Sequence, residues 1–277
     1  MLLGALQMRS SMDAQENLRT IEQACADAAQ KGVGYLQVPE MAVMFAEDHN
    51  GLRAFVREQA DEAIKLLATM AENHQLYLHV GSMAVASPTG KFLNRAFLFG
   101  PDGREVASYD KIHLFDADVD GDAPYRESKN FDAGTRAVVA DVNGIGLGMA
   151  ICYDLRFPQL FATLRQAGAQ ILTVPAAFTV PTGKAHWESL LRARAIETGC
   201  YVVAAAQGGH HANGRNTYGH SMIIDPWGRV IASCTEGNHG LIVAPFDADK
   251  VKDARSRIPT LANARDFSLS VNHNAAQ

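Results

Sequence analysis

Apolar positions along this chain switch repeatedly between a spacing of two and a spacing of three to four, the marks of strand and helix. Residues 2–8 (LLGALQM) form a short apolar run that predicts a strand. From Asn17 to Lys31, Leu18, Ile21, Cys25 and Ala28 recur at helical spacing. Tyr35 to Pro39 predicts a second buried strand, ending at Pro39-Glu40. One long helix is expected over 51–73, with Leu52, Phe55, Ala63, Leu67 and Met70 on one face. Strands follow at 76–85, 93–99 and 104–109, joined by the turn sequences Ser87-Pro-Thr-Gly90 and Pro101-Asp-Gly103.

The stretch from Lys111 to Gly134 is polar and without period, so it reads as a long loop where function tends to sit. Strands at 136–142 and 145–151 are joined by Asn143-Gly144, a strong hairpin signal. A helix over 157–167, a strand over 170–176 and a helix over 185–198 come next. The pattern then gives strands at 200–207, 219–225, 229–233 and 240–246, with a turn at Asp225-Pro-Trp-Gly228 and a polar tail from about 247. That makes about twelve strands and four main helices, interleaved, with no linker to divide them. Twelve strands are too many for one comfortable open sheet, so two packed sheets with helices outside are expected. The expected fold is one α/β sandwich domain covering 1–277.

Composition narrows the class without naming a chemistry. With 47% hydrophobic residues and 20% charged ones over 277 residues, neither a disordered nor a collagen-like chain fits. No uncharged apolar run approaches the roughly 18–20 residues needed to cross a bilayer. The first positive side chain, Arg9, comes after the initial apolar run, so no export signal is expected. The formal charge of −5 has no basic stripe behind it, which argues against nucleic-acid or membrane-surface partners. Cys25, Cys152, Cys200 and Cys234 are far apart and make no CxxC, so no disulfide framework or thiolate zinc site is suggested. A cytoplasmic enzyme is the expectation.

Three residues have chemically suggestive settings. Cys152 follows the apolar strand Ile145–Ile151 and precedes a helix, a strand-to-helix turn whose amides favour a thiolate. The competing reading is a small buried hydrophobe, which is how Cys25 and Cys200 are read; Cys234 carries no signal. Glu40 stands between apolar neighbours at a strand end, where a raised pKa would suit a base. Lys111, in Tyr109-Asp-Lys-Ile-His-Leu-Phe115, would stabilise an oxyanion if held near a carbonyl. By default it is a surface lysine, and Glu40 a turn residue.

Together these make a base, a cation and a nucleophile, each at a strand end. Val38-Pro-Glu40, Tyr109-Asp-Lys111-Ile-His-Leu-Phe-Asp116 and Ile151-Cys152-Tyr-Asp-Leu-Arg156-Phe-Pro158 resemble, in order, the motifs of the nitrilase superfamily of carbon–nitrogen hydrolases. The resemblance runs over roughly residues 2–270. It implies a four-layer αββα sandwich of two mixed β-sheets and a Glu–Lys–Cys triad. It also implies a second glutamate near the lysine, a position matched by Glu127 in Tyr125-Arg-Glu127-Ser128. A homodimer or higher homo-oligomer, and linear amides as substrates, are implied as well. The segments Ala185–Glu197, Cys200–Gln207 and Tyr218–Met222 most resemble the branch acting on deaminated glutathione, the 2-oxo-glutaryl amide of Cys-Gly.

The implied chemistry is amide hydrolysis through a cysteine thioester, with no metal or organic cofactor. Lys111 and the Tyr153 N–H would hold the oxyanion. An anionic acyl group calls for a bidentate cation, and Arg156, at the start of the same helix as Cys152, is the expected clamp. The alternative for Arg156 is a structural ion pair with Asp154 or another carboxylate. Phe178 and Thr182 follow a strand end and would wall the acyl chain. Arg192, Arg194 and Glu197 read as structural ion pairs. Gly144-x-Gly146-x-Gly148 opens no helix, so no dinucleotide site is read. His210-His211 lies in a Gly-rich loop and reads as polar lining rather than a metal site. Competing functions are an omega-amidase of 2-oxoglutaramate or 2-oxosuccinamate, a papain-like peptidase, and a catalytically silent interaction module.

Overall fold

Leu3 and Ala5 turn to one side of the first strand while Leu6 and Met8 pack on the other, and both sides are buried. A strand covered on both faces needs a layer above and a layer below. The computed structural model, which describes residues 1–119, 124–235, 237 and 239–271, supplies both. The first half runs β1 (Leu2–Gln7), α1 (Ala14–Gln30), β2 (Val33–Val38), α2 (His49–Glu58), α3 (Ala60–Asn73), β3 (Tyr77–Ala86), β4 (Phe92–Phe99) and β5 (Glu105–Asp110). After the short ribbon β6 (Asp116–Ala117) and β7 (Tyr125–Arg126) come β8 (Val138–Val142), β9 (Ile145–Met149), α4 (Pro158–Gln166), β10 (Ile171–Thr173) and α5 (Val180–Thr198). The chain continues through β11 (Tyr201–Ala204), β12 (Gly208–His210), β13 (Asn216–Tyr218), β14 (Met222–Ile224), β15 (Val230–Ser233), β16 (Gly240–Pro245), α6 (Ala248–Arg257) and α7 (Thr260–Asn263).

Twelve strands form two six-stranded mixed sheets, ordered β16-β1-β2-β3-β4-β5 and β15-β14-β11-β10-β9-β8. Each has a parallel centre, β1-β2-β3 in one and β9-β10-β11 in the other, with antiparallel neighbours outside. Leu3, Tyr35, Leu98 and Tyr109 of the first sheet share a core with Met149, Leu172 and Val202 of the second, so the sheets pack face to face. The outer face of the first sheet buries Leu36, Val80 and Phe97 against Ile21 of α1 and Leu67 of α3. Phe161 of α4 and Trp187 of α5 close the other side. Each such large side chain contributes roughly 1.5–3 kcal/mol when fully buried. The result is the expected four-layer αββα order.

Local departures from the sequence pattern have identifiable causes. The helix expected over 51–73 is two, broken at Gln59. Leu52 and Phe55 face inward in α2, whereas Ala60, Ala63 and Leu67 do so in α3, a set one residue out of phase that the break resets. Helix α5 begins five residues before 185, because Pro181 suits a first helical turn and Gly183 lies against the Tyr218 ring. The polar tail contains α6, which buries only Val251 and Ala254 and so leaves little periodic signal. The Lys111–Gly134 loop holds the β6–β7 ribbon and a 3-10 turn at Glu127–Lys129; part of it, 120–123, lies outside the described residues. The Asn143-Gly144 hairpin is present, with φ of 55° and 81° at the two positions.

Candidate active site

The carboxyl ends of strands from both sheets meet at one place. Glu40 follows β2, Lys111 follows β5, Cys152 follows β9 and Ala177 lies beyond β10. Gly81 makes the meeting of β2 and β3 possible. A Cβ there would stand 2.1 Å from the Val38 carbonyl oxygen and 2.4 Å from Pro175 Cβ. On either side of this contact the backbone is strained, with φ of 53° at Met41 and 49° at Cys152. The Met41 N–H donates to Ser82 Oγ at 3.0 Å, and the Cys152 N–H donates to the Pro175 carbonyl at 2.9 Å. These bonds aim both side chains into the same cleft.

There the three motif residues are buried and joined. Lys111 Nζ donates to Glu40 Oε1 at 2.9 Å and to Glu127 at 2.9 and 3.1 Å. The Ala177 N–H donates to Glu40 Oε2 at 2.9 Å, and the Phe115 N–H to Glu127 Oε2 at 2.6 Å. The Cys152 thiol is hydrogen-bonded to Glu40. Asn94 was not singled out by the sequence, yet its Nδ2 donates to Glu40 Oε1 and to Glu127 Oε1, both at 3.0 Å. A polar side chain at a buried position of the 93–99 strand was the available signal.

Electrostatics revise two expectations. Burial pushes the Glu40 carboxyl up, but the Lys111 charge and hydrogen bonds from Lys111, Cys152 and Asn94 outweigh it and hold its pKa below the ordinary value. Glu40 is therefore a carboxylate at rest, ready to accept a proton, rather than a raised base. Cys152 is not a standing thiolate. Burial and the adjacent Glu40 charge hold the thiol well above its usual range, and a five-residue 3-10 turn offers little dipole to oppose them. For Lys111, burial works against the charge, but Glu127 and Glu40 keep it firmly protonated.

The turn carrying Cys152 is fixed from beneath by Asp154, which is fully buried. Its carboxylate accepts from Tyr109 Oη at 2.7 Å, the Ile151 N–H at 2.9 Å, the His113 N–H at 3.0 Å and the His113 ring at 2.6 Å. The ion pair with Arg156 weighed from sequence is thus not formed. Arg194, also buried, donates to the Leu155 carbonyl at 3.0 and 2.9 Å and pairs with Glu197, as expected of a structural residue. Arg192 donates to Glu188 and to the Gly228 carbonyl.

Around Cys152 the open space has two lobes. The narrow one is lined by Phe115, Tyr153, Arg156, Ala177, Phe178 and Thr182, and so brings together all four residues expected to contact the acyl group. Arg156 meets no carboxylate among the described residues; it bonds His186 Nδ1 at 3.2 Å and lies over the Tyr153 and Phe178 rings. Thr182 Oγ1 is bonded to Thr179 Oγ1 at 2.8 Å. The wide lobe, about 440 Å³, holds Glu40, Asn94, Lys111, Glu127, Phe45 and Arg215. Among the described residues no histidine lines either lobe, and the base beside Cys152 is a glutamate, which removes the papain-like reading. An open groove of about 570 Å³ beside α1 and β16 holds none of these groups. The supposed Gly-rich loop is the ribbon β12–β13, and both ring nitrogens of His211 are engaged within the protein, by Ser10 and Thr217.

Comparisons with known proteins identify the family. A family model described as carbon-nitrogen hydrolase matches residues 2–256. The chain is 42% identical to the deaminated glutathione amidase of Synechocystis sp., covering 94% of this chain and 96% of that protein. It is 38% identical to the deaminated glutathione amidase of Homo sapiens, over 95% of this chain and 82% of the relative. The crystal structure of the C. elegans NitFhit protein superposes with a TM-score of 0.91 at 35% identity, covering 100% of this chain and 68% of that one.

Proposed function

The chain belongs to the carbon–nitrogen hydrolase family, and from that premise we propose that it hydrolyses deaminated glutathione to 2-oxoglutarate and Cys-Gly through a thioester on Cys152. The observation that carries the reading is one buried hydrogen-bonded set of thiol, carboxylate and ammonium, opening onto a cleft with a cation in each lobe. The named activity of the relatives supports the substrate.

As the Cys152 sulfur attacks the amide carbon, its proton passes to Glu40. Because the thiol and the carboxylate already share a hydrogen bond, no free thiolate needs to accumulate. Lys111 and the Tyr153 N–H face the developing oxyanion, and a donor in that role contributes about 3–4 kcal/mol. Protonated Glu40 then gives its proton to the departing nitrogen. In the second half Glu40 takes a proton from water, which attacks the thioester, and the sulfur leaves with a proton returned from Glu40. Glu127 and Asn94 hold Lys111 and Glu40 in place throughout. Arg156 binds the 2-oxo-acid carboxylate, with Phe178 and Thr182 beside the acyl chain. No step calls for a metal or an organic cofactor.

The substrate is decided by kcat/KM for deaminated glutathione against 2-oxoglutaramate. A preference for the former is expected, and a clear preference for the latter overturns the assignment in favour of an omega-amidase. Cys152→Ala is expected to abolish turnover without altering the far-UV circular dichroism spectrum; a wild type inactive on every such amide would leave the silent-module reading standing. We also infer a single 1–277 hydrolase domain, a cytoplasmic enzyme and a homodimer or higher homo-oligomer. No helix among the described residues is long and apolar enough to cross a membrane.

A further inference from the structure

The wide lobe carries a cation that the reaction steps leave unused. Arg215 lies in the same cleft as Glu40, Lys111 and Cys152. Its guanidinium sits over the Phe45 ring at 4.7 Å and the Tyr125 ring at 5.6 Å. Among the described residues that guanidinium makes no ion pair and no hydrogen bond; the Arg215 hydrogen bonds come from its backbone, to Asn213 and His211.

Its position is built rather than incidental. The β12–β13 tip is fastened to the loop after Glu40 by Asn213 Nδ2, which donates to the Phe45 and Ala46 carbonyls at 3.0 and 3.2 Å. His211 is buried beneath it, bonded to the Ser10 carbonyl and Thr217 Oγ1 and packed edge-on against Phe45 with centroids 4.6 Å apart. The two aromatic rings hold the guanidinium carbon in place by cation–π contact, and its N–H groups carry no bond to a described residue.

Where the proton goes decides which half of the substrate meets this cation. Glu40 lines the wide lobe and is absent from the narrow one, so the nitrogen it protonates departs on the wide side. The acyl half then lies on the Arg156 side, where the narrow lobe, about 20 Å³, widens to admit it. A peptide attached to the departing nitrogen extends into the wide lobe, and its far end is a carboxylate. We propose that Arg215 binds the terminal carboxylate of the peptide leaving group and so makes the enzyme favour a dipeptide amide over a primary amide. The inference rests on the thioester reading above and adds a leaving-group site to it.

The test uses wild type, Arg215→Ala and Arg215→Lys. In Arg215→Ala, kcat/KM for deaminated glutathione is expected to fall about 10–100-fold, mainly through KM, the size of a lost charge-assisted hydrogen-bond pair. The fall on 2-oxoglutaramate, which has no peptide, is expected to be at least about tenfold smaller, and Arg215→Lys to be intermediate because it keeps the charge and loses the fork. Equal losses on both substrates would assign Arg215 a structural role and overturn the proposal. A second measurement does not depend on which amide is the true substrate. Cys-Gly and Cys-glycinamide are compared as inhibitors of 2-oxoglutaramate hydrolysis. Preference for the free carboxylate in wild type, lost in Arg215→Ala, supports the site; no preference in wild type sinks it. Failure of the deaminated glutathione assignment alone appears as a wild type selective for 2-oxoglutaramate that still prefers Cys-Gly over its amide.

Discussion

A single amide nitrogen on Asn94 serves two carboxylates, Glu40 and Glu127, while Lys111 serves the same two from another side. Two like charges this close are tolerable only because both donors divide themselves between them. Asn94→Asp would replace a shared donor by a third negative charge. It is expected to raise the Glu40 pKa, move the acidic limb of the kcat/KM profile to higher pH and lower activity by about tenfold or more. An unmoved limb would mean that Glu40 does not control it. The same carboxyl links activity to stability. Because its folded pKa lies below the ordinary 4.5, its ionisation stabilises the fold above that pH, and the contribution is lost as pH falls through the lower folded value. Urea midpoints of wild type and Glu40→Gln taken on both sides of this window should converge at the acid end.

At the scale of elements, the strand pattern was legible wherever one face was apolar for several residues, which covers all twelve strands of the two sheets. What escaped was structure held by few apolar contacts, such as α6 and the β12–β13 ribbon. The break at Gln59 escaped because helical spacing on each side looks continuous when the phase slips by one residue. In the site, Glu40, Lys111 and Cys152 stood out because motif order carries them. Asn94 and Asp154 did not, since a polar residue in a buried run reveals its partners only after distant strands are brought together. Gly81 belongs with these. Gly81→Ala would press a methyl group into the Val38 carbonyl and Pro175. It is expected to destabilise the protein by about 1–3 kcal/mol, as overpacking does, and to cut kcat far more than that loss of folded population explains. Thermal melting alongside kinetics at a temperature where the variant is folded separates the two effects.

On the whole molecule, the net charge of −5 sits oddly with an anionic substrate until the local charges are placed. Arg156 and Arg215 stand at the two lobes of the cleft, so the proposed attraction for the ligand is local and needs no overall positive charge. The carboxyl-terminal segment leaves Phe267 91% and Leu269 84% exposed, large apolar side chains with no cover on one chain. If the proposed homo-oligomer uses them, Phe267→Ser with Leu269→Ser should reduce the mass measured by sedimentation velocity. An unchanged oligomer would remove this segment from the interface.

The proposed reacting groups come from separate layers: Glu40 and Lys111 follow strands of one sheet, Cys152 follows a strand of the other, and Ala177 beyond β10 holds Glu40 across the gap. No covalent bond ties those layers at the site, so sliding of one sheet over the other by a fraction of an ångström would spoil the proton path while leaving every strand intact. The enzyme is in that sense a gauge of its own alignment. Warming should extinguish turnover several degrees before far-UV ellipticity is lost, and coincident loss of the two would mean the layers come apart only when the strands do.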